Sequence, residues 1–230
     1  MNYKNLAYDL KKLIDDNLAK ILELRSDKII KIDNSYVTKG DLLISNILKK
    51  YLKSIFDKFI YVSEEDFVET QNWDESKSYI FVDPLDGTEN FVSGLKEWGI
   101  GISIYENGMH IFSFIYLPEL SEIHYSGKLI KKFQSRINGL SSSLNLGDLK
   151  LLRDTTNEIR IMGCAMYNIY NTIRGSFNIF ENVKGVNCWD ILPGINLALD
   201  SGCKVYVDGF EYKRQILFPI KKYKIKLINK

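Results

Sequence analysis

Nine residues, Asp83 to Phe91 (DPLDGTENF), set two carboxylates three positions apart around a proline and follow them with a Gly-Thr pair. They come directly after a short apolar run, Tyr79-Ile80-Phe81-Val82, that reads as a buried strand, so the acidic string sits at a strand end. Pro84 stiffens the turn, the carboxylates offer hard oxygen ligands, and Gly87 and Thr88 can present backbone N–H groups to a phosphate oxygen. Two more acidic positions have the same character. Glu64 opens Glu64-Glu65-Asp66 after another short strand, Phe59 to Val62, and Asp190 stands at a helix start after Cys188-Trp189. Mg²⁺ wants near-octahedral oxygen coordination, keeps several waters and is held by one or two carboxylates plus substrate phosphate. Two or three such cations on Glu64, Asp83, Asp86 and Asp190 would polarise a phosphoryl group, orient it and lower the pKa of a bound water towards neutrality. That is hydrolysis of a phosphate ester.

Other chemistries fit less well. A phosphoaspartate mechanism of the Asp-x-Asp type has one residue between its aspartates, whereas Pro84 and Leu85 separate Asp83 from Asp86. An EF-hand has different ligand spacing and flanking helices. The two histidines, His110 and His124, lie in no activating pattern and read as structural. Cys164, Cys188 and Cys203 are widely spaced with no CxxC pair, which excludes a disulfide framework and a zinc site and fits core residues of a cytoplasmic protein. With 31 basic and 29 acidic residues there is no global field to attract nucleic acid, and the lysines of 221–226 alternate with apolar residues as on a solvated strand face. No apolar run approaches the ~20 residues of a membrane span. A small-molecule phosphate ester is the expected partner.

The elements that must position these groups follow from periodicity. Leu6, Leu10, Leu13, Ile14, Leu18, Ile21 and Leu22 predict an opening amphipathic helix, and Ile44, Ile47, Leu48, Tyr51, Leu52 and Ile55 a second, which Asp41 begins. If the strands before Glu64 and Asp83 are parallel neighbours, their acidic ends converge. Trp98 to Tyr105, a turn at 106–108 and Met109 to Tyr116 predict a hairpin, extended by Glu122 to Tyr125. Residues 127–154 read as a weak junction. Beyond it, helix (164–174), strand (176–180), helix (190–201) and strand (204–207) alternate. The 230 residues are read as one domain, with a lobe of about 1–126 and another of about 155–230 around one cleft, in an α/β layered architecture.

At this point the residues resemble a known group. DPLDGTENF is similar to the signature of the inositol monophosphatase family; Val37-Thr38 with Asp41 resembles the family's early Thr and Asp pair, Ser63-Glu64-Glu65 its paired-glutamate motif, and Cys188-Trp189-Asp190 with Gly194 its C-terminal Trp-Asp motif. The resemblance spans about 37–202. It implies an αβαβα sandwich of the sugar-phosphatase type, Mg²⁺ dependence, Li⁺ sensitivity and a homodimer. It makes Glu64, Asp83, Asp86 and Asp190 metal ligands together with the Leu85 carbonyl, and Thr88, supported by Asp41 and Glu64, the group that activates the attacking water. Asp86, Gly87, Thr88 and Asp190 would touch the substrate, Gly163, Cys164 and Ala165 would lie beside the sugar, and Glu181 would fall near the family's substrate-hydroxyl carboxylate.

The expected activity is therefore Mg²⁺-dependent hydrolysis of a small polyol or sugar phosphate. Inositol 1-phosphate leads, because Asn90-Phe91 resembles inositol-type members more than nucleotide-directed ones. The alternatives are a 3′(2′),5′-bisphosphate nucleotidase, a fructose-1,6-bisphosphatase, and a catalytically silent binding module. The chain departs from the family mainly between Tyr125 and Arg160, where it is short and where a Gly-rich segment is barely recognisable around Asn138-Gly139.

Overall fold

The computed structural model describes residues 2–31, 36–67, 72–145, 147–148 and 157–230. The expected junction at 127–154 and the start of the second lobe at 155 fall partly outside them.

The opening apolar stripe forms two helices rather than one, α1 (Tyr3–Asp15) and α2 (Leu18–Glu23). Asn17 makes the break: its side-chain amide donates to the Leu13 carbonyl at 2.9 Å, the acceptor its own backbone N–H would need to continue the helix. A short antiparallel ribbon, β1 (Lys28–Ile30) and β2 (Tyr36–Thr38), follows and feeds α3 (Lys39–Ile55). Thr38 and Asp41 form a reciprocal capping box at the start of α3, which fixes where the helix begins.

The next strands are β3 (Ile60–Ser63), β4 (Tyr79–Asp86), β5 (Gly99–Glu106), β6 (Met109–Leu117) and β7 (Glu122–Tyr125), in that order across a five-stranded sheet. β3 and β4 run parallel with Ser63 opposite Val82, so the expected convergence of Glu64 and Asp83 at the strand ends occurs. Both faces of the sheet are covered, which is why Tyr79 to Val82 is apolar without alternation. Ile80 and Val82 face α1 and α3 through Leu10, Ile14, Ile44 and Leu48, whereas Tyr79 and Phe81 join the opposite core. Burying each such side chain contributes about 1.5–3 kcal/mol.

The opposite core belongs to α5 (Ala165–Ile173) and α6 (Cys188–Asp200), with the short α4 (Thr88–Val92) between β4 and β5 in the chain. Met166, Ile169, Ile191 and Ile195 pack with Phe81 and Ile115 of the first sheet and with Phe180, Val205, Ile225 and Leu227 of a second. That second sheet has six strands. It comprises β8 (Ile137–Leu140), β9 (Glu158–Ile161), β10 (Ile179–Val186), β11 (Lys204–Val207), β12 (Phe210–Glu211) and β13 (Tyr223–Ile228), ordered β12-β11-β13-β10-β8-β9. Among the described residues the layering is thus helix, sheet, helix, sheet, and residues 147–148 are also helical.

The expected strand at 176–180 begins three residues later and continues to Val186. Asn182, Lys184 and Gly185 look like turn residues, and the strand continues past them because β13 pairs with it at Asn182 and again at Val186, across a register irregularity. Sequence reading missed β8 and β9, each only four residues long.

Candidate active site

The nonapeptide solves a parity problem. Residues three apart on a regular strand face opposite sides, yet Asp83 and Asp86 line one cavity, of about 240 Å³. Between them the β4–β5 register shifts, from Asp83 opposite Gly101 to Asp86 opposite Gly99, at the point where Pro84 has no N–H to give the ladder. Gly87 then takes a left-handed φ of 87° and starts α4.

Glu64 arrives from the end of β3 and Asp190 from the first turn of α6, where Asn187 caps the helix and its N–H donates to Asp190 Oδ2 at 3.1 Å. One oxygen from each of Glu64, Asp83 and Asp190 lies within 4.8 Å of the others. Asp83 is wholly buried. Its Oδ1 accepts from the Leu85 N–H at 2.9 Å, and its Oδ2 has no hydrogen-bond partner. Asp86 stands beside the trio with Oδ2 turned to the start of α5, accepting from the Met166 N–H at 2.5 Å and the Cys164 thiol at 3.1 Å.

Burial, and then the mutual repulsion of the carboxylates, raises the pKa of Asp83 and of Asp190 well above the ordinary range. Asp86 is pushed up to about 6, chiefly by burial. Lys31 donates to Glu64 at 2.8 Å and to Glu65 at 3.0 Å, at the edge of the group. Packed carboxylates with an orphaned buried oxygen are under electrostatic stress that a divalent cation relieves, and an all-oxygen donor set suits a hard one. The residues present therefore fit Mg²⁺.

Thr88 lies on the same cavity wall. Its Oγ1 is 3.2 Å from Asp41 Oδ1 and 3.2 Å from the Leu85 carbonyl. Asp41 is fixed from behind, because its Oδ2 accepts from the Thr38 backbone N–H at 2.9 Å and from the Thr38 hydroxyl. The helix cap and the Thr88 contact are therefore one hydrogen-bonded unit.

A smaller pocket, of about 100 Å³, adjoins the first and shares Asp86, Gly163 and Asp190 with it. Cys164 and Ala165 line it, so the expected small-residue segment is brought to the cleft. Glu181 is not. It lies on the outer face of the second sheet, 3.5 Å from Lys226 Nζ, beside a groove of about 530 Å³ that shares no residue with the carboxylate cavity. Strand alternation is the reason: its neighbours Phe180 and Asn182 face inward. Asn168, Asn182 and Asn187 are among the cleft residues that sequence reading missed, with Tyr36, Glu89, Ser141 and Ser142; parity along β10 could have pointed to Asn182 had the strand's extent been known.

A layered α/β fold that gathers carboxylate oxygens at two parallel strand ends and a helix start defines a candidate site for hard divalent cations. The inositol monophosphatase family model matches residues 3–208, and the chain belongs to that family. It is a phosphatase, hydrolysing phosphate monoesters. The chain is 28% identical over 195 residues to the 3′(2′),5′-bisphosphate nucleotidase CysQ of Buchnera aphidicola, covering 76% of this chain and 72% of that protein. It is 30% identical over 141 residues to the Haemophilus influenzae CysQ, covering 60% of this chain and 48% of that one. Among solved structures, the staphylococcal inositol monophosphatase-1 superposes with a TM-score of 0.83 at 18% identity, over 99% of this chain and 89% of that one. An IMPase/NADP phosphatase complexed with Mg²⁺ and phosphate gives 0.83 at 18% identity, over 99% and 90%. At such identities these structures speak to the fold. Among the described residues no helix is long and apolar enough to cross a membrane.

Proposed function

We propose that the chain is a Mg²⁺-dependent phosphomonoesterase acting on a small polyol or sugar phosphate, with inositol 1-phosphate the leading substrate. One observation carries the reading: Glu64, Asp83 and Asp190 converge within 4.8 Å around an unpartnered buried oxygen, beside the Thr88–Asp41 pair. Glu64, Asp83, Asp86 and Asp190, with the Leu85 carbonyl, are the groups that would hold two or three Mg²⁺ ions. When bound, Mg²⁺ supplies charge to a phosphoryl group and acidity to a water. The chain's own residues do the rest. Thr88 Oγ1 donates towards Asp41 Oδ1, so the hydroxyl would take a proton from an attacking water only as it passes its own proton to Asp41. Gly87 and Thr88 line the carboxylate cavity, where their N–H groups would be offered to a phosphate oxygen, and Cys164 and Ala165 line the adjoining space that would take the alcohol.

A second reading, 3′(2′),5′-bisphosphate nucleotidase, is favoured by the curated relatives, which carry that name. The free, buried state of all three cysteines is compatible with a cytoplasmic enzyme. A homodimer remains part of the proposal through the family resemblance alone. Colorimetric phosphate release from inositol 1-phosphate, fructose 1,6-bisphosphate and 3′-phosphoadenosine 5′-phosphate, with Mg²⁺ and with EDTA, tests both readings. Mg²⁺-dependent release that is fastest from inositol 1-phosphate is expected; preference for the nucleotide selects the second reading, and no release from well-folded protein selects a binding module.

A further inference from the structure

Asn90 belongs to the acidic nonapeptide yet is buried and lines neither of the two adjoining cavities. Its amide is spent on backbone outside its own helix. Nδ2 donates to the Glu97 carbonyl at 2.7 Å and to the Met162 carbonyl at 2.6 Å, so both amide protons go to carbonyls beyond α4. Met162 opens the turn that leads into α5, and glycines let that turn lie directly on the nonapeptide. Gly163 has a left-handed φ of 72°, and a Cβ on it would lie 2.7 Å from Asn90 Oδ1. A Cβ on Gly87 would lie 2.9 Å from Cys164 Cβ and 3.2 Å from the Glu97 carbonyl oxygen. Asp86 grips the far end of the same turn, where its Oδ2 accepts from the Cys164 thiol at 3.1 Å and the Met166 N–H at 2.5 Å. The nonapeptide thus holds residues 162–166 at two points, Asn90 and Asp86, and Asp86 keeps Oδ1 for a cation.

We propose that Asn90 is a positioning residue for metal binding: by holding Met162 it fixes the start of α5, and the start of α5 fixes how the Asp86 carboxylate is turned. The inference rests on the Mg²⁺-dependent reading above and adds to it a side chain that touches neither cation nor ester. A carboxamide suits the task because two carbonyls take two donors from one group, whereas a carboxylate there would set an acceptor against acceptors. With the amide gone, the turn keeps only the grip of Asp86 itself, and any drift of the turn rotates that carboxylate away from the direction in which Glu64, Asp83 and Asp190 converge. Contacts that orient a ligating carboxylate set metal affinity without touching the metal.

The test breaks the grip from each side. Asn90→Ala deletes both hydrogen bonds; Gly163→Ala keeps the amide and forces the turn away from it, through the added methyl and the left-handed φ. Each variant is read by calorimetric titration with Mg²⁺, by phosphate release from the ester that wild type prefers, and by thermal unfolding. For a variant that unfolds cooperatively, the Mg²⁺ Kd and the Mg²⁺ concentration for half-maximal rate are expected to rise together by roughly tenfold, while kcat at saturating Mg²⁺ stays within about threefold of wild type. Should Asn90→Ala fail to fold, Gly163→Ala decides the matter. A lower melting temperature with the Mg²⁺ Kd unmoved, or a loss of kcat at saturating Mg²⁺ with the Kd unmoved, overturns the assignment and leaves the phosphatase reading intact. Failure of both variants to fold overturns it as well, because the amide would then hold the fold rather than the carboxylate. Wild-type protein that neither binds Mg²⁺ nor releases phosphate in its presence sinks the Mg²⁺-dependent reading, and this inference with it.

Discussion

At the scale of single residues the site is held in a state that its own charges oppose. Asp83 combines full burial, one backbone hydrogen bond and one unpartnered oxygen among other carboxylates. Asp83→Asn keeps the shape and the Leu85 contact but removes the charge. Turnover in Mg²⁺ is expected to fall by roughly three orders of magnitude or more. In EDTA the same variant should be more stable than wild type by about 1 kcal/mol or more, because a repelled buried charge is gone. Phosphate release and urea denaturation measure the two effects, and wild-type turnover would remove Asp83 from the metal site. Thr88→Ala tests the neighbouring unit. It takes the hydroxyl from Asp41 and is expected to lower kcat about 100-fold with little change in the Mg²⁺ concentration needed for half-maximal rate. A proportional shift in that concentration would instead assign Thr88 to metal binding.

At the scale of elements, two helices aim their first turns at the cleft: α5 through the Met166 N–H on Asp86, and α6 through Asp190. Their spacing is set where Gly194 of α6 meets Ile169 of α5. A Cβ on Gly194 would lie 2.7 Å from Ile169 Cγ2 and 2.8 Å from its Cδ1. Alanine raises helix propensity by about 1 kcal/mol over glycine, but overpacking at a β-branched neighbour on a helix costs about 1–3 kcal/mol. Gly194→Ala is therefore expected to be destabilising by about 1 kcal/mol net, with a raised Mg²⁺ requirement as Asp190 is pushed from Asp86. Thermal unfolding and a Mg²⁺ titration of activity check both parts; a stabilised variant would show that the interface yields.

At the scale of the whole molecule, a buried polar chain ties the first sheet to α6 and to the segment after β12. His110 Nε2 meets Ser113 Oγ at 2.8 Å, Ser113 meets Ser103 at 3.0 Å, and Asn196 Nδ2 reaches Ser103 at 3.1 Å and the Tyr105 hydroxyl at 2.8 Å, while its Oδ1 accepts from Tyr212 at 3.1 Å. Asn196→Leu leaves several buried hydroxyls short of a partner and is expected to cost about 3 kcal/mol, read by urea denaturation. A cost under about 0.5 kcal/mol would mean that the hydroxyls re-pair among themselves.

The same chain makes stability depend on pH. Arg214 can only donate to His110 Nδ1, at 3.3 Å, so the proton of the neutral ring sits on Nε2. Burial, reinforced by Arg214, lowers the pKa of His110 to about 4, and burial with Lys128 does the same for His124. Both folded-state values lie below the ordinary value of about 6.5. The unfolded chain thus binds more protons between those limits, and the stability these rings hold in full above about pH 6.5 is lost as pH falls towards 4. Relative to wild type, a His110→Gln, His124→Gln double variant should lose less stability between pH 7 and pH 4.5, by about 2–4 kcal/mol. Parallel pH profiles would show that neither ring resists protonation.

Sequence alone determined the chemistry: carboxylates at strand ends, a proline between two of them, and a Gly-Thr pair after them are legible because ligand type and turn propensity belong to single residues and near neighbours. It also determined the helices and most strands of the first sheet, whose apolar faces repeat within one element. The tertiary structure decided what depends on partners. β8 and β9 exist only as neighbours in a sheet that close-range pattern does not reveal. Glu181 and Asn182 adjoin in sequence and differ by a half-turn of the strand. Only the pairing of β10 with β8 and β13 decides which of them is buried towards the cleft, because a strand's two faces are equivalent until something packs against one of them.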